Sequence, residues 1–428
     1  MLYVGFGTQT TRFCRKTPHC AALGKTCRVH ASDASSYFAM KPAPISRSTF
    51  GIVIAINSLA YLYQSLLRPH ALDYGSLYAA GVTARIAPRM LYDWNFQVAI
   101  QRQLLRDTAF FPYYHPPLEI PVLALLSKLP FAYSLGLWRL LSIALLLVSG
   151  RLLAKALGQN PIHATLLGCA IYSSAYCVSL GQDSIALLLI ICGAFYFLTN
   201  DAEVLSGVVL SLALFKPQLP VILAFALFAL GRKRFIWSFM SSALVVTCAS
   251  LLYMGKSGAV SFLECMRLGE QHAELRAMPN ILGVLSVFGG DHARLAIAFL
   301  LIGLALLFPV WKKSKSLGFT VASSICFASI AAPHLFAYDL VVLVIPLAIL
   351  FETRRESDTL FLAVITSAPL ALCLFSFRLS AFLVIPTGLL FIACFSRLLD
   401  SGCISVPLAT QTARLVKKGR IAQLWGKL

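Results

Sequence analysis

Long apolar runs recur along most of the chain, and they constrain the fold more than any other feature of the sequence. Most of them approach the roughly 20 residues that a helix needs to cross the hydrocarbon core of a bilayer. Because backbone polar groups must be satisfied within the lipid, such runs predict helices. We predict an all-α, polytopic membrane protein with about twelve transmembrane helices. The predicted spans are 50–67, 132–154, 162–180, 184–199, 202–216, 218–230, 235–254, 293–311, 317–333, 336–351, 358–376 and 380–397.

The composition supports a membrane protein and excludes a nucleic-acid binder. Hydrophobic residues make up 58% of the 428 residues and charged residues only 12%, whereas soluble domains carry about 25% charged residues. Lys and Arg total 36 against 17 Asp and Glu. These basic residues cluster in short gaps between apolar runs and form no continuous basic face with interleaved aromatic residues. We interpret the excess as a topology signal, with membrane lipids as the partner and no nucleic acid.

The cysteines predict neither disulfides nor a metal site. Most of the 12 Cys are single residues inside apolar runs, where a thiol behaves as a small hydrophobic group. Cys14, Cys20, Cys27 and His30 lie close together near the start, but they lack the paired spacing of a zinc knuckle. We therefore expect no metal and no cofactor.

The chain divides into three predicted parts. Residues 1–48 have no apolar period and a single acid, so they predict a disordered basic leader. Within this leader Met40 precedes Lys41, as in an ordinary bacterial membrane-protein start, and our hypothesis is that Met40 is the true initiator. Residues 49–398 form the transmembrane domain, and residues 399–428 form a basic cytoplasmic tail.

Clusters of basic residues set the predicted orientation. With the N-terminus inside, Arg and Lys fall in the inner gaps at 151–155, 232–234, 312–315 and 354–355 and in the tail, which satisfies the positive-inside rule. The apolar piece 118–129 is too short for a confident crossing. Counting it as one would place the later basic clusters outside, so we predict a re-entrant or interfacial segment.

The unusual polar motifs then share the outer face. The first outer loop is predicted to be structured, with an amphipathic helix after Leu91-Tyr92-Asp93. Ionisable groups at a membrane edge are costly enough to be candidates for function. The outer motifs contain Asp73, Tyr113-Tyr114-His115-Pro116-Pro117, Gly181-Gln182-Asp183, Lys216-Pro217-Gln218, the long loop 255–292 and Ala332-Pro333-His334-Leu335-Phe336-Ala337-Tyr338-Asp339.

Asp73 is the candidate general base, because a carboxylate at the edge of a dry pocket can be ionised near neutral pH. The alternative is an N-cap of an interfacial helix, with Tyr74 and Tyr78 beside the headgroups. Lys216 needs an anion, and a phosphate would satisfy it; the alternative is snorkelling to lipid headgroups. A neutral His334 could hydrogen-bond a phosphate or a hydroxyl, and a protonated one could pair with the leaving phosphate.

In their order and spacing, these motifs resemble the polyprenol-phosphate-sugar-dependent glycosyltransferases of family 87, membrane enzymes of the GT-C architecture that include mannosyltransferases. The resemblance spans roughly residues 50–400. It implies a lipid-phosphate sugar donor, a lipid or glycan acceptor, inversion at the anomeric carbon and no obligatory metal. It places Asp73 as the catalytic acid residue of the first outer loop. The candidate substrate-binding residues are Tyr74, Tyr78, Tyr114, His115, Gln182, Lys216, Gln218, Asn280, His334 and Tyr338.

The predicted activity is transfer of a mannose-like sugar, or another hexose or pentose, at the outer face of a bacterial inner membrane. The rival class is a secondary transporter or a lipid or sugar translocase that uses Asp73, Asp183 and His334 as relay groups. Transporters usually place such groups near the midplane in paired broken helices, and here they lie at the edge. A non-catalytic scaffold is the third interpretation.

Overall fold

The computed structural model describes residues 56–57, 59, 72–105, 110–288, 292–352, 367 and 377–403. All regular structure in these ranges is helical, as the sequence predicted. The predictions for the leader 1–48, Met40, the span 50–67, the basic pair 354–355, the span 358–376 and most of the tail lie outside the described residues.

The described helices follow one another with short connections. The first eight are α1 (Leu72–Ile86), α2 (Trp94–Leu105), α3 (Ile120–Leu126), α4 (Phe131–Leu157), α5 (Pro161–Ala170), α6 (Tyr172–Leu180), α7 (Ser184–Thr199) and α8 (Glu203–Ser211). The others are α9 (Gln218–Ala229), α10 (Lys233–His272), α11 (Ile281–Phe288), α12 (His292–Lys313), α13 (Leu317–Ala331), α14 (Val344–Glu352) and α15 (Val384–Cys403). Short 3₁₀ helices cover Pro88–Met90, Leu212–Phe215, Leu275–Ala277, Ala337–Leu343 and Phe377–Leu383.

The structure supports a membrane protein but not the number of spans. Four described helices are long and apolar enough to cross a bilayer, at Phe131–Leu157, Lys233–Gly269, His292–Lys313 and Ser380–Asp400. A fifth is possible if α5 and α6, which are bent by 68°, form one span. The shorter apolar helices are Ser184–Thr199, Glu203–Phe215, Gln218–Ala229, Leu317–Ala331 and Ala337–Phe351. The predicted twelve crossings are therefore not confirmed within the described residues.

The predicted outer loop 255–292 is wrong for its first half. Helix α10 continues through this region to His272, and Gly255 only kinks it with a φ of 67°. Glycine adopts this left-handed conformation without steric cost, so one residue can redirect the chain while helical bonding resumes on both sides. Apolar residues such as Phe262 and Leu263 then extend the helix beyond the predicted end at residue 254.

The long helices have one end rich in polar motifs and another rich in basic residues. Near its start, α4 places Trp138, which donates to the carbonyl of Gly181, whereas its last turn carries Lys155. Helix α10 begins at Lys233 and brings Cys265 to the carbonyl of Tyr113. This alternation agrees with the pattern on which the orientation was predicted.

Candidate active site

Two glutamines of α2 hold the segment that leads to His115. Asp93 accepts from the backbone N–H of Phe96 at 2.7 Å and so starts the helix. Gln97 then bonds both the N–H and the carbonyl of Tyr113, at 2.7 and 3.0 Å. Gln101, one turn later, bonds the N–H and the carbonyl of Phe111 at 3.2 and 2.7 Å. The amides thus pair the backbone of an extended segment as a neighbouring strand would.

A tight turn at Gly181 presents Gln182 and Asp183. Helix α6 ends at Gly181, whose φ is 70°, and a Cβ built there would lie 2.6 Å from the Cβ of Tyr74. From α4, Trp138 donates to the Gly181 carbonyl at 2.8 Å and Arg139 donates to the Ser179 carbonyl at 2.7 Å. The turn therefore needs glycine for its backbone conformation and also for its packing.

Lys216 joins two carboxylates from distant parts of the chain. Its Nζ lies 2.6 Å from Asp183 Oδ1 and 2.8 Å from Asp339 Oδ1. It also donates to Ser184 Oγ at 2.7 Å. Burial alone would lower the pKa of Lys216, but the two carboxylates raise it above its usual range. The ammonium therefore remains charged and uses all three donors inside the protein.

His115 is clamped in the same cluster. Its Nδ1 lies 2.7 Å from Glu119 Oε1 and 3.1 Å from Asp183 Oδ2. Burial opposes a charge on the ring, but the two carboxylates outweigh it and raise the pKa of His115 to about 10. Burial would also raise the pKa of Asp183, yet Lys216 and His115 hold that pKa below its usual range. The cluster is a buried, largely neutralised set of charges.

Asp73 stands beside this cluster in the first turn of α1. Although part of its surface is accessible, surrounding atoms desolvate the carboxylate and raise its pKa to about 6. A hydrogen bond from Gln182 and the charge of Lys216 act in the opposite direction. Asp73 lies within the helix instead of before its first residue, and its carboxylate faces Gln182, so the geometry favours the site interpretation over the N-cap.

A second set of polar side chains borders Asp73. Tyr114 Oη and His334 Nε2 are hydrogen-bonded at 2.7 Å, and Gln218 donates to the carbonyl of His334 at 3.0 Å. The ring of Tyr338 lies 5.2 Å from the Nζ of Lys216. Burial lowers the pKa of His334 to about 4, so this imidazole is neutral near pH 7. The structure therefore brings together residues from four separate sequence motifs.

Comparison with known proteins decides the family. The model of glycosyltransferase family 87 matches residues 113–376, which is more than half of the chain. The chain belongs to glycosyltransferase family 87. It is therefore a membrane glycosyltransferase, and the resemblance noted from the sequence is confirmed. No curated protein and no solved structure gives a significant match. Asp73 lies before the matched residues, so its assignment depends on geometry.

Three predicted substrate-binding residues of this family-87 chain have structural surroundings instead. Tyr74 is fully buried against Phe131 and Trp138, with its hydroxyl 2.5 Å from Ser134. Tyr78 donates to the carbonyl of Leu129. Asn280 is fully buried; it donates to the carbonyl of Ala332 and accepts from the N–H of Gly283. These side chains offer a substrate little or no surface, so they hold the site from behind.

The predicted phosphate contact of Lys216 is also corrected. Snorkelling is wrong as well, because the side chain is only 7% exposed and is enclosed by Asp183 and Asp339. With Ser184 as the third acceptor, no donor of the ammonium is left for an anion. The sequence shows a lysine at a break between apolar runs, but it cannot show that two carboxylates, the second 123 residues away, converge on it.

Sequence reasoning missed several residues that build this family-87 site. Glu119 and Ser184 belong to the ionic cluster, and Trp138, Gln97 and Gln101 orient its loops. One signal was available for the glutamines, since polar residues four apart on a helix share a face. The i, i+4 spacing of His115 and Glu119 was a second such signal. Ser184 and Trp138 carry no comparable signal in the sequence.

The cluster contains residues of metal-binding type. His115, Glu119 and Asp183 place one ligand-type atom each within 4.8 Å of one another. The two contacts of His115 Nδ1, at 2.7 and 3.1 Å, are hydrogen-bond lengths. The protonated ring and Lys216 thus supply the positive charge that these carboxylates require, and the geometry assigns no metal to them.

A cavity of about 710 Å³ lies at the basic end of the helices, away from this cluster. Asp201, Glu203, Val204, Leu205, Lys233 and Arg234 are among its lining residues. Glu203 is paired with Arg232 at 3.0 Å. None of the predicted site residues lines this cavity, so its size does not identify the reacting centre.

Proposed function

We propose that this family-87 glycosyltransferase moves a sugar from a polyprenyl-phosphate donor to a hydroxyl of a lipid or glycan acceptor. The reaction takes place at the extracytoplasmic face of a bacterial inner membrane and inverts the anomeric carbon. A mannose-like sugar, or another hexose or pentose, is the transferred group. The single observation that carries the proposal is the Asp73 carboxylate, held by Gln182 beside the charges of Lys216 and Asp183.

In this mechanism Asp73 accepts the proton of the acceptor hydroxyl as that oxygen attacks the anomeric carbon. The bond between the sugar and the phosphate oxygen breaks, and its electron pair leaves with the lipid phosphate. A base whose pKa is raised to about 6 is ionised at neutral pH and still basic enough to share a proton in the transition state. Gln182 holds the carboxylate in position, and the positive charges of the cluster favour the departing anion.

The resident charges also suit a reaction without a metal. Lys216 and His115 already neutralise Asp183, Glu119 and Asp339, so electrostatic stabilisation does not require a divalent ion. We accordingly propose no cofactor beyond the lipid-linked sugar, which is a substrate. Activity that survives dialysis against EDTA would support this part of the proposal, and activity restored only by added Mn²⁺ or Mg²⁺ would contradict it.

The test is product formation by purified Asp73→Asn and wild-type protein, with membranes or acceptor extracts and radiolabelled polyprenyl-phosphate mannose or arabinose. Asparagine keeps the size of the side chain but cannot accept the proton, so transfer should fall by about 10²–10⁴-fold. Donor binding and the unfolding temperature should remain near the wild-type values. Near-equal activity of the two proteins would refute the assignment of Asp73. A transporter would instead yield no glycosylated product with either protein.

A further inference from the structure

The site contains two side chains that can carry a positive charge beside the proposed base, and only one is available to a ligand. Lys216 donates to Asp183, Asp339 and Ser184, so its hydrogen-bonding capacity is exhausted. His115 engages Glu119 and Asp183 through Nδ1 alone. Its Nε2 makes no hydrogen bond within the part of the chain that the structure describes, and 21% of its side chain is accessible.

We propose that Nε2–H of the His115 imidazolium binds the phosphate of the lipid-linked donor. This inference rests on the proposed function and names the residue that recognises the charged part of the donor. Because Nδ1 faces two carboxylates, which only accept, that nitrogen must carry a proton. The same carboxylates stabilise the charged ring, so Nε2 is protonated as well and is a donor.

The surroundings of His115 fit an anion attached to a lipid. The rings of Tyr114 and Phe215 lie 6.1 and 6.4 Å from the imidazole, which gives the charged edge an aromatic, weakly hydrated border. His334, hydrogen-bonded to Tyr114, is neutral and so competes little for the anion. A phosphate placed at Nε2 would exchange its water contacts for a charge-assisted hydrogen bond in a low-dielectric site.

The charge of His115 depends on groups from several elements. The titratable side chains around the ring are Tyr113, Tyr114, Glu119, Asp183, Lys216 and His334. Glu119 and Asp183 favour the imidazolium directly, whereas Lys216 disfavours it but is itself paired with Asp183. Removing the charge of Glu119 should therefore weaken the imidazolium without removing the ring.

The experiment measures binding of farnesyl phosphate, farnesol and inorganic phosphate to detergent-purified protein by calorimetry. We expect wild type to bind farnesyl phosphate most tightly, and His115→Gln to lose about 10- to 100-fold of that affinity, the effect of one charge-assisted hydrogen bond. Farnesol should bind both proteins equally. The matched control is His163→Gln, the same replacement at an exposed histidine of α5, which should behave as wild type. Inorganic phosphate that binds as tightly as farnesyl phosphate would overturn the lipid-linked donor.

Unchanged affinity of His115→Gln for farnesyl phosphate would overturn the proposal. If that variant does not fold, Glu119→Gln supplies the answer, because its preference for farnesyl phosphate over farnesol should disappear at a lower pH than in wild type. An unshifted pH dependence would contradict the inference. The proposed function is judged separately, because farnesyl phosphate carries no sugar and Asp73→Asn should bind it normally. Transfer that survives in Asp73→Asn would refute the base and leave phosphate binding by His115 intact.

Discussion

Lys216 Nζ and Asp339 Oδ1 lie 2.8 Å apart although 123 residues separate them in the chain. The same Asp339 Oδ1 accepts from Ser184 Oγ at 2.6 Å, and its Oδ2 accepts from the backbone N–H of Phe336 at 3.0 Å. Asp339 thus ties the loop that carries His334 to the lysine at the start of α9. The ionic cluster is the support on which Asp73, Gln182 and His115 are arranged.

Replacing Lys216 should first affect stability. Lys216→Met would leave Asp183 and Asp339 buried without their cation, and breaking such a pair costs about 3–5 kcal/mol. We expect a lowered unfolding temperature in detergent together with loss of activity, instead of a selective increase in the KM for the donor.

The double variant Lys216→Met, Asp339→Asn should recover part of the lost stability, because one orphaned charge is removed. Lys233→Ala is the matched control, since this lysine is exposed, and its unfolding temperature should stay near wild type. A Lys216→Met protein of normal stability with only a raised donor KM would restore the sequence-based interpretation of this residue as a phosphate ligand.

The pH dependence of transfer should report Asp73. Desolvation by burial raises the pKa of Asp73 to about 6, and only the ionised form accepts a proton. We therefore expect kcat/KM to be constant above this pH and to fall about tenfold for each pH unit below it. Initial rates in a buffer series of constant ionic strength measure the profile.

Glu119 also has a raised pKa, so the acid limb needs an assignment. Gln182→Leu removes the hydrogen bond that lowers the pKa of Asp73, and its acid limb should move to higher pH. A limb at the same pH in both proteins would mean that another group controls it.

Gly181 should tolerate no side chain. Alanine at a φ of 70° costs roughly 1–2 kcal/mol, and its Cβ would collide with Tyr74. Gly181→Ala should thus lower the unfolding temperature and weaken transfer by displacing Gln182. Gly136→Ala is the control, because its Cβ meets nothing within 4 Å and alanine favours the helix by about 1 kcal/mol. Equal stabilities of the two variants would show that the turn has no such constraint.

The orientation in the membrane can be tested with single cysteines. Arg276 and Lys313 are exposed, and Arg276 lies close in sequence to Asn280, which contacts Ala332 near the site. An impermeant maleimide added to intact cells should label Arg276→Cys above the parent protein, whereas Lys313→Cys should react only after lysis. The reverse pattern would place the site on the cytoplasmic side and remove the proposed extracytoplasmic reaction.

The sequence by itself determined the class of fold, the family and the residues that meet at the site. Apolar runs dictate helices because lipid provides no partner for the backbone, and polar motifs at their ends identify the functional face. Helix α2, the short helix at 118–129 and the turn at Gly181 followed from local signals such as Asp93, the proline breaks and glycine. These features depend on neighbours in the chain, which a sequence displays directly.

Only the tertiary structure decided what each polar residue does. Lys216 as a phosphate ligand and Lys216 as a buried pivot have the same sequence, and the difference is the arrival of Asp339 from another element. Tyr74 and Tyr78 similarly became packing residues because Ser134 and Leu129 meet their hydroxyls. The continuation of α10 past Gly255 was hidden because a glycine that ends a helix and one that bends it have the same letter. Pairing of buried charges and hydroxyls is a long-range property, and its energy depends on distances that only the folded chain sets.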